Sequence, residues 1–137
     1  MGAEVALPGS LALLAAVYQR RGHAEEGLQV VAEALARVDK TGGRLWEAEL
    51  YRLKGELILQ ARGQSAEACF QHAIAIARKQ QAKSLELRAV LSLSRLWQQQ
   101  GKKAKARQLL AEIYGWFTEG FDTKDLQEAK TLLEELT

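Results

Sequence analysis

The sequence predicts an all-α protein, a stack of about three antiparallel helical hairpins closed by a C-terminal capping helix. Three observations predict it. One pattern is written three times. Tyr18, Gly22, Gly27, Val31 and Ala34 are echoed by Trp97, Gly101, Ala106, Leu110 and Ile113, with a looser middle copy in Ile58, Gly63, Ala66, Phe70 and Ala73. Repetition of this kind marks a solenoid of stacked helix pairs. The chain has one proline in 137 residues and is rich in Ala, Leu, Gln, Glu, Lys and Arg, which favours helix. Apolar residues also recur at helical spacing, as in Leu50, Leu53 and Leu57.

The elements follow in order. Residues 1–10 read as an irregular lead, with Pro8-Gly9 as a breaker and Met1-Gly2-Ala3 as an appended start. Residues 11–137 then form one domain, with hairpins over about 11–40, 45–82 and 84–118 and a capping helix over about 123–136. Ser10 is placed to cap a first helix that Gly22 ends. The second helix starts near Ala24, and Glu25 and Glu26 in its first turn suit the positive end of the helix dipole. Thr41-Gly42-Gly43 is a turn. A long third helix from about Leu45 to Ala61 carries Trp46, Leu50, Leu53, Leu57 and Ile58 on its apolar face. Ser65 is the expected cap of the fourth helix, from Ala66 to about Gln81.

The fifth helix runs from about Ser84 to Gln100, and Gly101 divides it from a sixth, Lys102 to about Thr118. Gly120-Phe121 reads as the stop, a left-handed glycine followed by an apolar residue that folds back on the last turn. Asp122 or Thr123 caps the seventh helix. It has one apolar stripe (Leu126, Ala129, Leu133, Leu136) and a polar side, as a terminal helix needs. Small residues at Ala15, Gly55 and Ser94 mark the places where two helices can approach closely, and Tyr18, Phe70, Trp97 and Leu110 fill the spaces between hairpins.

Several runs carry a family resemblance. They are Glu25-Glu26-Gly27-Leu28, Leu45-Trp46-Glu47-Ala48-Glu49-Leu50 with Arg52-Leu53-Lys54-Gly55-Glu56-Leu57, and Ala66-Glu67-Ala68-Cys69-Phe70. Lys83-Ser84-Leu85-Glu86-Leu87-Arg88-Ala89 and the ending Tyr114-Gly115-Trp116-Phe117-Thr118-Glu119-Gly120-Phe121-Asp122-Thr123 belong with them. Together they resemble tetratricopeptide-like (TPR-like) repeats, in particular the C-terminal repeat region of large bacterial signalling proteins. Such proteins join a class III adenylate/guanylate cyclase domain, or a transcriptional regulator's DNA-binding domain, to an AAA-like/STAND ATPase module and then to repeats. The resemblance covers roughly residues 11–137. It implies a right-handed superhelix and a fragment that lacks the parent's catalytic domains. The chain departs from the family at Lys54, where a leucine usually precedes the glycine. The intervals from Gly22 to Gly63 and from Gly63 to Gly101, 41 and 38 residues, also exceed the usual unit of about 34.

Bulk properties narrow the function. Net charge is +2, from 19 basic and 17 acidic residues, which is too balanced to point to nucleic acid or an anionic membrane. The longest apolar run, Leu11 to Val17, is too short to span a bilayer. A single cysteine, Cys69, excludes an internal disulfide and fits a cytoplasmic location. No phosphate loop, paired metal-binding aspartates or nucleophile–base pair can be picked out, so neither catalytic, cofactor nor metal residues are assigned, and the chain is read as non-enzymatic. His23 and His72 stand apart from any cluster of ligand spacing, and Cys69 beside Phe70 reads as a small core residue. Lys102, Lys103, Lys105 and Arg107 form a basic group at a helix start, where the dipole disfavours it. A solvated turn explains this better than a partner.

Two candidate surfaces remain. If the first helix of each hairpin lines the concave face, then Gln19, Arg20, Arg52, Glu56, Gln60, Arg88, Arg95 and Gln99 are groove residues for a protein or peptide, or for other domains of the parent. Internal pairing competes with that role, since Glu49, Arg52 and Glu56 stand at i,i+3 and i,i+4 spacing. The first helix is also apolar on all sides, so it should be covered. Leu11, Leu13, Leu14 and Val17 are expected to meet a preceding repeat or, with that absent, a second copy in a homodimer.

Overall fold

The protein's structure, a computed structural model, describes residues 8–41, 43–63 and 66–137. It is all-helical: α1 (Pro8–Arg20), α2 (Ala24–Thr41), a 3-10 turn (Gly43–Trp46), α3 (Glu47–Arg62), α4 (Glu67–Lys79), α5 (Lys83–Gln99), α6 (Lys103–Tyr114) and α7 (Lys124–Leu136). Each helix packs on the next one in sequence. The odd helices also touch one another, α1 on α3, α3 on α5 and α5 on α7, whereas among the described residues the even helices do not.

The repeated pattern lies in the core. Gly27, Val31 and Ala34, then Ala66, Phe70 and Ala73, then Ala106, Leu110 and Ile113 are all buried. The small residues do what their size allows. A methyl group on Gly55 would stand 2.6 Å from the Phe70 ring, and one on Gly27 would stand 2.8 Å from Leu57. Two apolar clusters result. One joins α1 and α2 to Leu50, Leu53 and Leu57 of α3, and the other runs from α4 to α7 around Phe70, Val90, Trp97 and Leu110.

Three turns close in the same way. After α1, His23 N–H donates to the Tyr18 carbonyl and Gly22 N–H to Gln19. After α5, Lys102 donates to Trp97 and Gly101 to Gln98. Between α4 and α5, Ala82 donates to Ala77 and Gln81 to Arg78. This paired 6→1 and 5→2 arrangement needs a left-handed residue at its centre. Gly22 and Gly101 supply it at φ +77° and +80°, and Gln81 adopts it at +56° without being glycine.

Several boundaries differ from the sequence expectation. Pro8 and Gly9 open α1 instead of breaking the chain, because proline's fixed φ and missing N–H suit a first turn. Residues 8–10 are therefore helical, not part of an irregular lead. Helix α2 continues to Thr41, and Gly43 begins a 3-10 turn in which Trp46 packs against Gly9. Trp46 and Ile58 therefore leave the buried face of α3, which Ala48, Leu50, Leu53 and Leu57 make up. The expected cap Ser65 lies outside the described residues, as does Gly42.

Helix α6 stops at Tyr114, four residues early. Trp116 and Phe117 donate to Ile113 and Tyr114 in tighter i→i−3 bonds that close the last turn. Gly120 is left-handed, at φ +79°, but it leads into α7 instead of ending α6, and Phe121 does fold back on Tyr114, ring to ring at 5.6 Å. Thr123 holds the N-cap position of α7 without a side-chain cap bond. Leu132, not Leu133, completes the buried stripe, with Leu133 half-buried at its edge.

Candidate functional site: a charged groove across the odd helices

Contact between odd helices brings their outward residues onto one surface. There they line a groove of about 430 Å³. One wall is α1, with Leu13, Ala16, Gln19 and Arg20. Glu49 and Arg52 of α3, with Arg88, Leu91, Ser92 and Arg95 of α5, make the floor. The other wall is α7, with Lys124, Asp125 and Glu128. Five of the eight residues assigned to a concave face from sequence thus meet in one place.

Arg52 is the centre of the floor. Its Nε and Nη2 donate to the two oxygens of Glu49 at 2.9 and 2.8 Å, a bidentate fork. Nη1 reaches Ser92 Oγ at 3.3 Å and lies 3.5 Å from Glu56. Burial by itself would loosen the guanidinium's proton. The hydrogen bond and charge of Glu49, with Glu56 and Asp125 behind it, more than offset this and hold the Arg52 pKa above its ordinary value. Ser92 Oγ in turn donates to Glu56 at 3.2 Å, which ties α5 to α3. Internal pairing therefore claims Arg52 and Glu56, as their spacing suggested. Glu56 reaches the floor only through its partners.

Arg88 and Arg95 sit two turns apart on α5 and are about two-fifths exposed. Arg88 Nη1 meets Glu49 at 3.3 Å and its Nε meets Asp125 at 3.2 Å; Arg95 Nη2 meets Glu128 at 2.8 Å. The α7 carboxylates were absent from the sequence-level site. Their i,i+3 spacing puts both on one face of α7, but which element that face meets is not written in the spacing. Gln99 lies beyond the groove, in a second cleft between α5 and α7 where Gln98 bonds Glu135. Gln60 lies on the rim of α3 and donates to the Gln19 carbonyl at 3.0 Å, so it joins α3 to α1.

The α1 surface divides. Leu11 is 6% exposed and packs in the first cluster, so it is not available for self-association. Its neighbour Ala15 on the same stripe faces α2 and α3, which explains the difference. Leu13, Leu14 and Val17 are 65%, 42% and 40% exposed.

The other chemistry-bearing residues have local partners. His23 Nδ1 lies 3.4 Å from Glu26, and His72 meets Tyr51 edge-on at 4.3 Å. Cys69 is free and half-buried. Lys105 lies over the Trp97 ring, 4.5 Å from its centroid, while Lys102, Lys103 and Arg107 are exposed. Among the described residues no three His, Cys, Asp or Glu side chains could hold a metal ion, and no helix is long and apolar enough to cross a membrane. The chain matches no family model, no curated protein and no solved structure.

Proposed function

We propose that this is a protein-interaction module of the TPR-like kind, a right-handed superhelical stack that binds a protein or peptide along the groove of its odd helices. The observation that carries the reading is the contact pattern. Odd helices touch in a row and even helices do not. A stack closed on one side and open on the other curves toward the closed side, and a curved solenoid offers its inner face for binding. The residue types agree, since half-exposed arginines beside polar groups read extended or helical partners well. No catalytic role is assigned to the chain. By the family resemblance, its place is the C-terminal region of a cytoplasmic bacterial signalling protein with a cyclase or DNA-binding output and an ATPase module. The partner is then another domain of that parent or a second protein.

Photo-crosslinking in cells tests the reading. A crosslinking residue at Gln19, in the groove, is expected to trap a discrete partner, and one at Gln108, on the exposed side of α6, is not. Adducts from Gln108 alone would move the binding surface off the groove.

A second reading has its own observation. Leu13, Leu14 and Val17 lie on one exposed stripe of α1. An apolar stripe on a surface helix suits a two-fold contact with its own copy, making the domain a homodimerisation module without an external ligand. Light scattering on a sizing column over a hundredfold concentration range separates the two readings. A monomer throughout removes the second.

A further inference from the structure

The groove is lined by unequal charge. Arg20, Arg52, Arg88, Arg95 and Lys124 face Glu49, Asp125 and Glu128. The deepest pair, Arg52 with Glu49, is a permanent strut, each partner being mostly shielded. The outer pairs differ. Arg88–Asp125 and Arg95–Glu128 join side chains between a quarter and two-fifths exposed. Ion pairs this open to water are weak and exchange readily. Lys124 lies only within 3.9 Å of Glu128 and is almost fully exposed. Arg20, on the opposite wall, has no carboxylate partner among the described residues.

Helix α7 does not depend on these pairs for its place. Leu126, Ala129, Leu132 and Leu136 are buried in the larger cluster, and α7 packs mainly on α6. Its two groove-facing carboxylates can therefore swing off the arginines while the helix stays docked.

Resting on the groove reading above, we propose that the partner is an acidic segment carrying carboxylates about one helical turn apart, and that Asp125 and Glu128 are its built-in competitors. The segment takes Arg88 and Arg95 from α7 and adds Arg20, which α7 cannot reach. Leu13 and Ala16, on the α1 wall of the same lining, receive an apolar side chain between the acidic ones. The competitors raise the threshold for binding, so only a partner that engages both walls displaces them. An acidic patch that meets one wall alone gains nothing over α7.

The probe is fluorescein-labelled hexaglutamate, followed by anisotropy at low salt, with hexalysine as control. Asp125→Asn with Glu128→Gln is expected to tighten hexaglutamate binding by about tenfold, as expected for removing two like charges from the site. Adding Arg95→Gln should cancel most of that gain. Arg20→Gln, an exposed change that leaves helix content intact, should weaken binding to the otherwise unaltered protein by about threefold or more. Equal affinity of the double variant and the parent, or indifference to Arg20→Gln, would overturn the proposal. Amide shifts separate this from failure of the groove reading. Perturbation of Gln19 and Ser92 without the gain leaves the groove standing and removes the competitor, whereas perturbation confined to residues outside the groove removes both.

Discussion

Gly55 inverts an ordinary rule. Glycine inside a helix costs about 1 kcal/mol relative to alanine, so Gly→Ala there normally stabilises. At Gly55 the added methyl meets Phe70, which is fully buried and has no room to retreat. Gly55→Ala is expected to destabilise by about 1–3 kcal/mol, read as a lower urea midpoint. Phe70→Leu in the same chain should recover part of the loss. Gln81 makes the opposite case. It is the one described non-glycine residue with positive φ, in a turn whose two counterparts use glycine. Gln81→Gly should therefore raise stability by about 0.5–1 kcal/mol, since a side chain in the left-handed region costs roughly 1–2 kcal/mol. The glycines and small residues of the pattern were legible in the sequence because their size is their function. The Gln81 turn was not, because glutamine gives no sign of left-handed backbone.

At the scale of elements, helix number, order and hairpin partners could be read from the repeat. Ends could not, where tertiary contacts set them. Helix α6 stops early because the chain tightens into i→i−3 bonds at Trp116 and Phe117, and α1 starts early because Pro8 can open a helix as well as break one. The α1 stripe shows the same limit. Periodicity marked Leu11, Leu13, Leu14 and Val17 alike, yet only packing against α2 and α3 separates Leu11 from the rest. Two substitutions make that difference measurable. Leu11→Glu should abolish cooperative unfolding or lower Tm steeply, because it buries a charge. Leu14→Glu should shift stability by no more than about 0.5 kcal/mol. If the wild type dimerises through this face, Leu14→Glu also yields a monomer of unchanged helix content. The groove was half legible for a related reason. Arginines on α3 and α5 follow from spacing along one helix, whereas Asp125 and Glu128 arrive from a different element and depend on how α7 docks.

Across the whole molecule, every contact between described α-helices joins neighbours or next neighbours in sequence. Stability in such a chain is a sum of local units and the interfaces between them. Val31→Ala, in the first cluster, is expected to cost about 1–3 kcal/mol. Its effect should appear in hydrogen exchange as faster opening of α1 and α2. Protection of α5 to α7 should change little, because their core is the second cluster. Uniform loss of protection along the chain would show one cooperative block instead.

The unequal contact between odd and even helices has a mechanical meaning. The odd row is a spine, and each even helix is wedged between the odd helices on either side of it. Among the described residues α2 does not touch α4, nor α4 α6, so the stack is closed along the odd side and splayed along the even side. The gap between the Arg20 wall and the α7 wall depends on the curvature of that stack, so the aperture of the groove is set by bending. A force or a neighbour that presses the even helices together straightens the spine and spreads the walls. The width of the groove would then report the load on the molecule's back, as a strain gauge does.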